Sequence, residues 1–454
     1  MANFTKLLLV FSLSVILSCQ SVLKRDLASD HHISQNAQQL VTWETKANAV
    51  STRSNQVIRL EHYEIPLRLL QQDVEETLDQ NMKDSLIFEK NGEKYVRWVI
   101  NPEDTKWHFD VKNFLEKHNL DSEPRKFFDA YLTASRSMIL VNPDNGATFS
   151  LKVSTNKTGG NWTDKKQTWV DAQQVRNMDK WMSEVTSSMK TEHLVIMNEP
   201  FAMGIKEIDH GMIMRSLNDV PKDEHFYLPG FSVLHEAEGA RIAKLNGAKN
   251  VSEFWDKHYN QPLAKALAEF FAYTGAWYDS PHSQNFLVEL DKNMKPTGRI
   301  ILRDLGDTYL LEDFAINTKY AKLTALWEDG NVHKGKLNSA VGLLHGNSAP
   351  SWMSDSEYQS YAKNFYTTFE KKFSEISNIP EVELRKTPLN VNPFSYATKN
   401  YSTTSESWKN YLKYANCLNG EAKTLAGLDC PEFYLKKQKK IDCYNNVVDI
   451  IMAH

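Results

Sequence analysis

An α+β fold, with an antiparallel sheet at its centre and a mainly helical C-terminal lobe, is what this 454-residue sequence predicts. Three observations point there. Asn142-Pro-Asp-Asn-Gly146 stands between two apolar runs, 137–141 and 147–155, and such a turn between alternating residues signals a hairpin. A second pair of short runs, Phe286 to Leu290 and one ending in Arg303-Asp304-Leu305-Gly306-Asp307, is joined by a turn from Asp291 to Gly298. Beyond Leu311, apolar residues recur at helical spacing in 315–327, 335–344, 354–376 and 405–415. The 194–215 segment supplies further strands, and all three hairpins are expected in one sheet.

Composition sets the outer bounds. With 53 Lys and Arg against 57 Asp and Glu, charge is nearly balanced, which argues against a nucleic-acid partner. Length leaves room for a large core in two or three lobes. Residues 1–19 read as an export signal: Lys6 precedes an apolar run from Leu7 to Leu17, too short to span a bilayer as a folded helix. Ile16-Leu17-Ser18-Cys19 closes it as a lipoprotein-type cleavage site, so Cys19 is the expected lipidation site and membrane anchor. Residues 20–56, polar and without sustained period, read as a tether. An N-terminal α/β region, 57–135, follows, with a helix over 69–82, a strand over 95–100 and a helix over 123–135.

The core region, 136–312, carries the chemistry. After the first hairpin, Thr155-Asn-Lys157-Thr158-Gly-Gly160 combines hydroxyls, a cation and glycines that let a backbone approach phosphate. Arg176, on a helix near 173–189, adds positive charge. A strand over 193–198, a Glu199-Pro200 turn and a strand ending at Arg215 follow, leaving Glu199 and Arg215 as either a buried pair or ligand contacts. Helices over 237–245 and 251–257 lead into a buried helix from Pro262 to Tyr273, under an early Pro and before Gly275. It delivers His282-Ser-Gln284-Asn285 to one mouth of the second hairpin, and Arg303-Asp304 stands at the other. A hairpin brings its open ends together. His and Asn can hold an acid oxygen, Arg can grip two oxygens of a carboxylate or phosphate, and Asp304 can hold a divalent ion.

These motifs, in this order, resemble the siderophore synthetases of the IucA/IucC family over roughly 145–312. The family shows His-x-Gln-Asn before a strand and then Arg-Asp-x-x-Gly, where this sequence has His282-Ser-Gln284-Asn285 and Arg303-Asp304-Leu-Gly306. Phe149-Ser-Leu-Lys152-Val-Ser154 and the loop after it resemble its Lys-x-Ser strand and nucleotide loop, with Lys157 where the family has Arg. His193-Leu-Val-Ile-Met-Asn-Glu199-Pro200 and Met212-Ile-Met-Arg215 resemble two further strands. The resemblance implies a palm-and-fingers fold and an ATP-dependent ligase, with Mg²⁺, that joins a citrate-like polycarboxylate to an amine or hydroxyl through an acyl-adenylate. It implies His282 and Arg303 as catalytic and Asp304 as the metal ligand. Ser154, Thr155, Lys157, Thr158, Arg176, Glu199, Arg215, Gln284 and Asn285 would contact substrate or nucleotide.

The lobe 313–454 is aromatic and helical and holds Cys417, Cys430 and Cys443, without a close pair that would suggest zinc. An exported chain meets no ATP pool. Two other readings therefore stand beside the ligase: a lipoprotein that keeps the fold and only binds a carboxylate-rich ligand, and a kinase-like phosphotransferase suggested by His-x-x-Asn followed by Asp-Leu-Gly-Asp307. In the last reading the base of a kinase His-x-Asp loop is replaced by Gln284.

Overall fold

The computed structural model describes residues 33, 35–47, 57–133, 136–157, 164–186, 191–217, 225–234, 236–274, 276–278, 283–311 and 354–377, with short bridges at 332–333, 424–425 and 428–429. The export signal with Cys19, Thr158, His282, the three C-terminal cysteines and the helices expected at 315–327, 335–344 and 405–415 lie outside the described residues.

Nine strands form one sheet in the order β2-β9-β10-β7-β6-β5-β1-β4-β3, with every neighbouring pair antiparallel. They are β1 (Ile58–Pro66), β2 (Gln71–Val74), β3 (Ile87–Lys90), β4 (Glu93–Val99), β5 (Arg125–Leu132), β6 (Ser137–Val141), β7 (Thr148–Lys152), β9 (Phe201–Ile205) and β10 (His210–Arg215). A second sheet, β11-β13-β14-β8, contains β8 (Leu194–Ile196), β11 (Phe226–Pro229), β13 (Phe286–Leu290) and β14 (Pro296–Leu302). Here β14 pairs antiparallel with β13 and parallel with β8, while β12 (Ala276–Tyr278) pairs antiparallel with the later strand β15 (Thr308–Leu311).

The α+β class is as expected, but the single sheet is not. The 194–215 segment splits at Glu199-Pro200: β8 goes to the second sheet, while β9 and β10 join the first. The 286–304 hairpin also belongs to the second sheet. Turn chemistry fixes a hairpin locally, but which sheet it joins is set by the side chains it meets.

One face of the nine-stranded sheet packs against α2 (Gln80–Leu86) and α3 (His108–Lys117), burying Met82, Leu86, Val111, Phe114 and Leu115 with Phe149, Leu151, Met212 and Met214. On the other face α4 (Trp169–Thr186) sets Trp169, Ala172 and Val175 against Ala202 and Ile213. The two sheets meet through Tyr131, Ile139 and Val141 of the first and Tyr227, Leu287 and Ile301 of the second. Leu40 and Val41 of α1 (Gln35–Ala47) complete that cluster. Residues 35–47 are therefore part of the core, a correction to the tether expected over 20–56. Trp43 is buried and donates through Nε1 to Glu238 at 3.3 Å. Polar composition hid a helix whose few apolar residues fall on one side.

Two further expectations fail. Within the segment 123–135 expected as a helix, Arg125–Leu132 form the strand β5: the helical spacing of Phe127, Phe128, Tyr131 and Leu132 comes from burial on both faces of the sheet, with Phe128 and Leu132 on one side and Tyr131 on the other, and the pairing with β1 and β6 decides. The helix expected over 69–82 is a short 3₁₀ turn, Leu67–Leu69, then the edge strand β2, with α2 beginning only after Asp79. Asp79 caps α2 by accepting from the Met82 N–H at 3.2 Å. Gly230–Leu234 form α5, residues 236–245 form α6, and 251–255 form α7, which continues through a π-helical turn over 256–260 into α8 (Gln261–Thr274). α8 buries Leu263, Leu267 and Phe270 beside β8 and β14. Along α9 (Asp355–Ser377), Tyr361, Phe365, Phe369 and Phe373 are buried at intervals of one helical turn, and α9 packs against α8.

Candidate functional site at the junction of the two sheets

Along β7 the side chains alternate. Phe149, Leu151 and Val153 enter the core, which leaves Ser150, Lys152 and Ser154 on the opposite face. β10 places Ile213 opposite Lys152 and Arg215 opposite Ser150, so Lys152 and Arg215 share that face as diagonal neighbours. The chain leaving β14 meets them. Asp304 takes a left-handed conformation, with φ at 65°, and starts the short 3₁₀ turn Leu305–Asp307. Its carboxylate accepts from Lys152 Nζ at 2.5 Å and lies 3.5 Å from Arg215 Nη2.

A buried relay runs inward from this pair. Arg215 donates through Nε at 3.1 Å and Nη2 at 2.6 Å to Glu199 Oε1, and Glu199 Oε2 accepts from the Leu305 N–H at 3.3 Å. The Glu199 N–H donates to Asp179 at 2.7 Å. Arg176 then bridges Asp179 at 2.5 Å, the Glu199 carbonyl at 3.1 Å and Asp73 at 3.3 Å. Lys180 closes the far end on Asp73. Four strand or helix ends are thus cross-linked by alternating charges. Glu199 stands at the point where the chain changes sheets, which is why its partners come from both.

Protonation follows from these contacts. Burial pushes the Asp179 carboxyl up to about 7, against the opposing pull of Arg176 and the Glu199 N–H. Burial would raise Asp304 as well, but Lys152 and then Arg215, with Arg136 behind them, hold it well below the usual carboxylate range. Arg136 is itself oriented by the Lys166 carbonyl at 3.2 Å and Gln167 Oε1 at 3.0 Å. Lys152 and Asp304 are partly exposed, with side-chain exposures of 13% and 24%, whereas Glu199 is fully buried and Arg215 is 7% exposed. The solvent end of the relay is the Lys152–Asp304 pair.

The expected site residues divide into groups. Arg176, Glu199, Arg215 and Asp304 join in the relay, and of the two roles open to Glu199 and Arg215 the geometry is that of a buried pair. At the hairpin mouth the Arg303 N–H donates to the Asn285 carbonyl at 3.1 Å, and its guanidinium donates to the Gln284 carbonyl at 3.1 and 2.8 Å. The mouths do converge. Yet Arg303 is buried and its Nη1 is paired with Glu44 of α1, so the guanidinium expected to grip a ligand carboxylate holds one from the chain itself. Asp304, expected to hold a divalent ion, carries Lys152 and Arg215 instead. With cations on a lone carboxylate, these residues do not fit a resident Mg²⁺.

The end of β7 also departs from expectation. Thr155 is buried, its hydroxyl accepts from the Lys157 N–H at 3.1 Å, and its backbone bridges Lys165, so it shapes the loop from within. Ser154 Oγ accepts from the Gln167 N–H at 2.8 Å, and Lys157 is exposed. Sequence reading missed Lys152 and Arg136 as site cations, and Asp179 and Glu44 as partners. Only Lys152 carried a signal, as the Lys of the Lys-x-Ser strand quoted for its resemblance.

No family model matches the sequence, and no curated protein matches it. Among solved structures the chain is similar to the aerobactin synthetase IucC of Klebsiella pneumoniae, at 14% identity and a TM-score of 0.49, over 70% of this chain and 62% of that one. It is similar to the ATP-bound aerobactin synthetase IucA of the same organism at 11% identity and a TM-score of 0.46, over 73% of this chain and 65% of that one. It is similar to the petrobactin biosynthesis protein AsbB of Bacillus anthracis at 15% identity and a TM-score of 0.48, over 73% and 61%. This chain spans less than two thirds of the length of each.

Proposed function

We propose that the chain is a siderophore-synthetase-like ligase that activates a citrate-like carboxylate with ATP and joins it to an amine or hydroxyl. The observation that carries this reading is the Lys152–Asp304–Arg215–Glu199 linkage. Residues from four separate stretches of the sequence, each quoted for its resemblance to the synthetases, meet at one junction between two sheets with a cationic, partly exposed end. Lys152, Arg136 and the exposed Lys157 are suited to a triphosphate. Polyphosphate charge is neutralised by such cations, and Lys152 is released to it when the phosphates outcompete Asp304.

In the proposed reaction a carboxylate oxygen of the acid attacks the α-phosphorus of ATP and pyrophosphate leaves. The amine or hydroxyl then attacks the acyl carbon, AMP leaves, and an amide or ester remains. The part of this chain is to hold the phosphates and the acid in line and to stabilise the charge that grows on the leaving pyrophosphate. Mg²⁺ would arrive with the nucleotide, since Asp304, the metal ligand expected from the sequence, is held by Lys152 and Arg215.

Titration calorimetry with ATP–Mg²⁺ tests the site. Lys152→Ala removes one charge-assisted contact, of about 1.5–3 kcal/mol, and should weaken ATP about tenfold to a hundredfold while the melting curve stays cooperative. Equal affinity in wild type and variant sinks the assignment.

A second reading, a fold retained for binding a polycarboxylate without turnover, is favoured by the Glu44–Arg303 pair, which seals the motif arginine with an internal carboxylate. Under that reading citrate raises the melting temperature and ATP–Mg²⁺ does not. Export with lipidation at Cys19 accompanies it.

A further inference from the structure

Away from the junction, the nine-stranded sheet carries a cavity of about 340 Å³ where β1 changes register. The pairing of β1 with β5 shifts between Arg59 and Glu61, and the strands part there. The segment after β4 and the first turn of α3 arch over the gap. Ile58, Leu60 and Ile100 line it with apolar side chains that are themselves buried in the sheet core.

Its walls are polar. Arg59, Lys112 and Lys126 line it together with two carboxylates, Glu61 and Asp104; Arg59 is held by Asp129 at 3.1 Å and by the Phe127 carbonyl at 2.7 Å, and Lys126 lies 4.0 Å from Glu61. The Asp104 charge is already engaged, because its carboxylate accepts from the N–H groups of Lys106 and Trp107 at 3.2 Å and of His108 at 2.7 Å at the start of α3. It also accepts from or pairs with His108 Nδ1 at 3.2 Å. Lys112 reaches Glu116 only at 3.9 Å, across an exposed helix face where such a pair is worth little, so its ammonium can turn to another anion. Phe109, 49% exposed, also lines the cavity and lies against His108 with ring centroids 4.1 Å apart. An apolar interior of this size with convergent cations and an exposed aromatic ring has the composition of a small-molecule site.

We propose that this cavity is a second ligand site, for a monoanionic amphiphile: a carboxylate or sulfonate carried on an aliphatic or aromatic body. The body fills the space over Ile58, Leu60 and Ile100, and the anionic head lies between Lys112 and Lys126, in competition with their long contacts to Glu116 and Glu61. The site is distinct in place and chemistry from the junction, whose cations suit polyphosphate, and it does not depend on the ligase reading.

The experiment uses the full chain without nucleotide. 1-Anilinonaphthalene-8-sulfonate is titrated by fluorescence and then competed with octanoate, on wild type, on K112E/K126E and on F109A, with circular dichroism to confirm that each is folded. Saturation at one equivalent, displacement by octanoate, at least tenfold weaker binding in K112E/K126E and a several-fold loss in F109A are expected. F109A serves as a second probe because it leaves the charges in place. Absence of saturable binding to wild type, binding at several equivalents that octanoate does not displace, or equal affinity in wild type and K112E/K126E overturns the proposal.

Discussion

Glu199 shows how a single side chain ties sequence to architecture. It follows the strand that enters the second sheet and precedes the one that enters the first, and its two oxygens hold Arg215 of one and the Leu305 N–H beyond the end of the other. Removing it takes a two-bond carboxylate partner from a buried guanidinium, so Glu199→Ala should cost about 3–5 kcal/mol, read as a lower urea midpoint at unchanged slope. Asp304 gives a pH signature. Its folded-state pKa lies below its unfolded value, so its contribution to stability is present above about pH 4 and is lost as pH falls below that. Urea midpoints from pH 6 down to pH 2 should therefore fall more steeply for wild type than for Asp304→Asn. At this scale the sequence showed which motif residues would gather, since Glu199, Arg215 and Asp304 were all candidates. It could not show Glu44, because nothing local marks a carboxylate in a polar segment as the partner of a distant arginine.

Among the elements, α1 departs most from its sequence. Its composition suggests a solvated tether, yet Leu40 and Val41 are buried between the sheets and Trp43 is buried against Phe226 and Glu238. Trp43→Ala should accordingly cost about 3–5 kcal/mol by chemical denaturation, where a tether residue would cost nothing measurable. The packing of α4 on β9 has an equally sharp requirement. A Cβ on Gly204 would fall 2.2 Å from the Trp169 ring, so Gly204→Ala should force α4 outward and cost about 1–3 kcal/mol, visible in the urea midpoint. Hairpins and α8 were legible because turn residues and apolar period are local signals. β5 was not, because it is buried on both faces, so its apolar residues fall at helical spacing and only the pairing with β1 and β6 settles the matter.

For the whole molecule, the decisive feature is that the second hairpin does not extend the first sheet but ends against it, which turns two strand ends into one junction. The sequence order of the motifs anticipated their convergence; the division into two sheets, and with it the conversion of Arg303 into a buried strut, depended on contacts between distant segments. Under the proposed function the junction is the place where ATP and a carboxylate react. Its most direct test is hydroxylamine capture: the full chain is incubated with ATP, Mg²⁺, citrate and hydroxylamine, and citryl hydroxamate and pyrophosphate are measured for wild type and for folded Lys152→Ala. The account predicts both products in equal amount, dependent on ATP and on citrate, and at least tenfold slower with Lys152→Ala. Citrate binding with no ATP-dependent hydroxamate or pyrophosphate, or formation of both at the same rate by the variant, would contradict it.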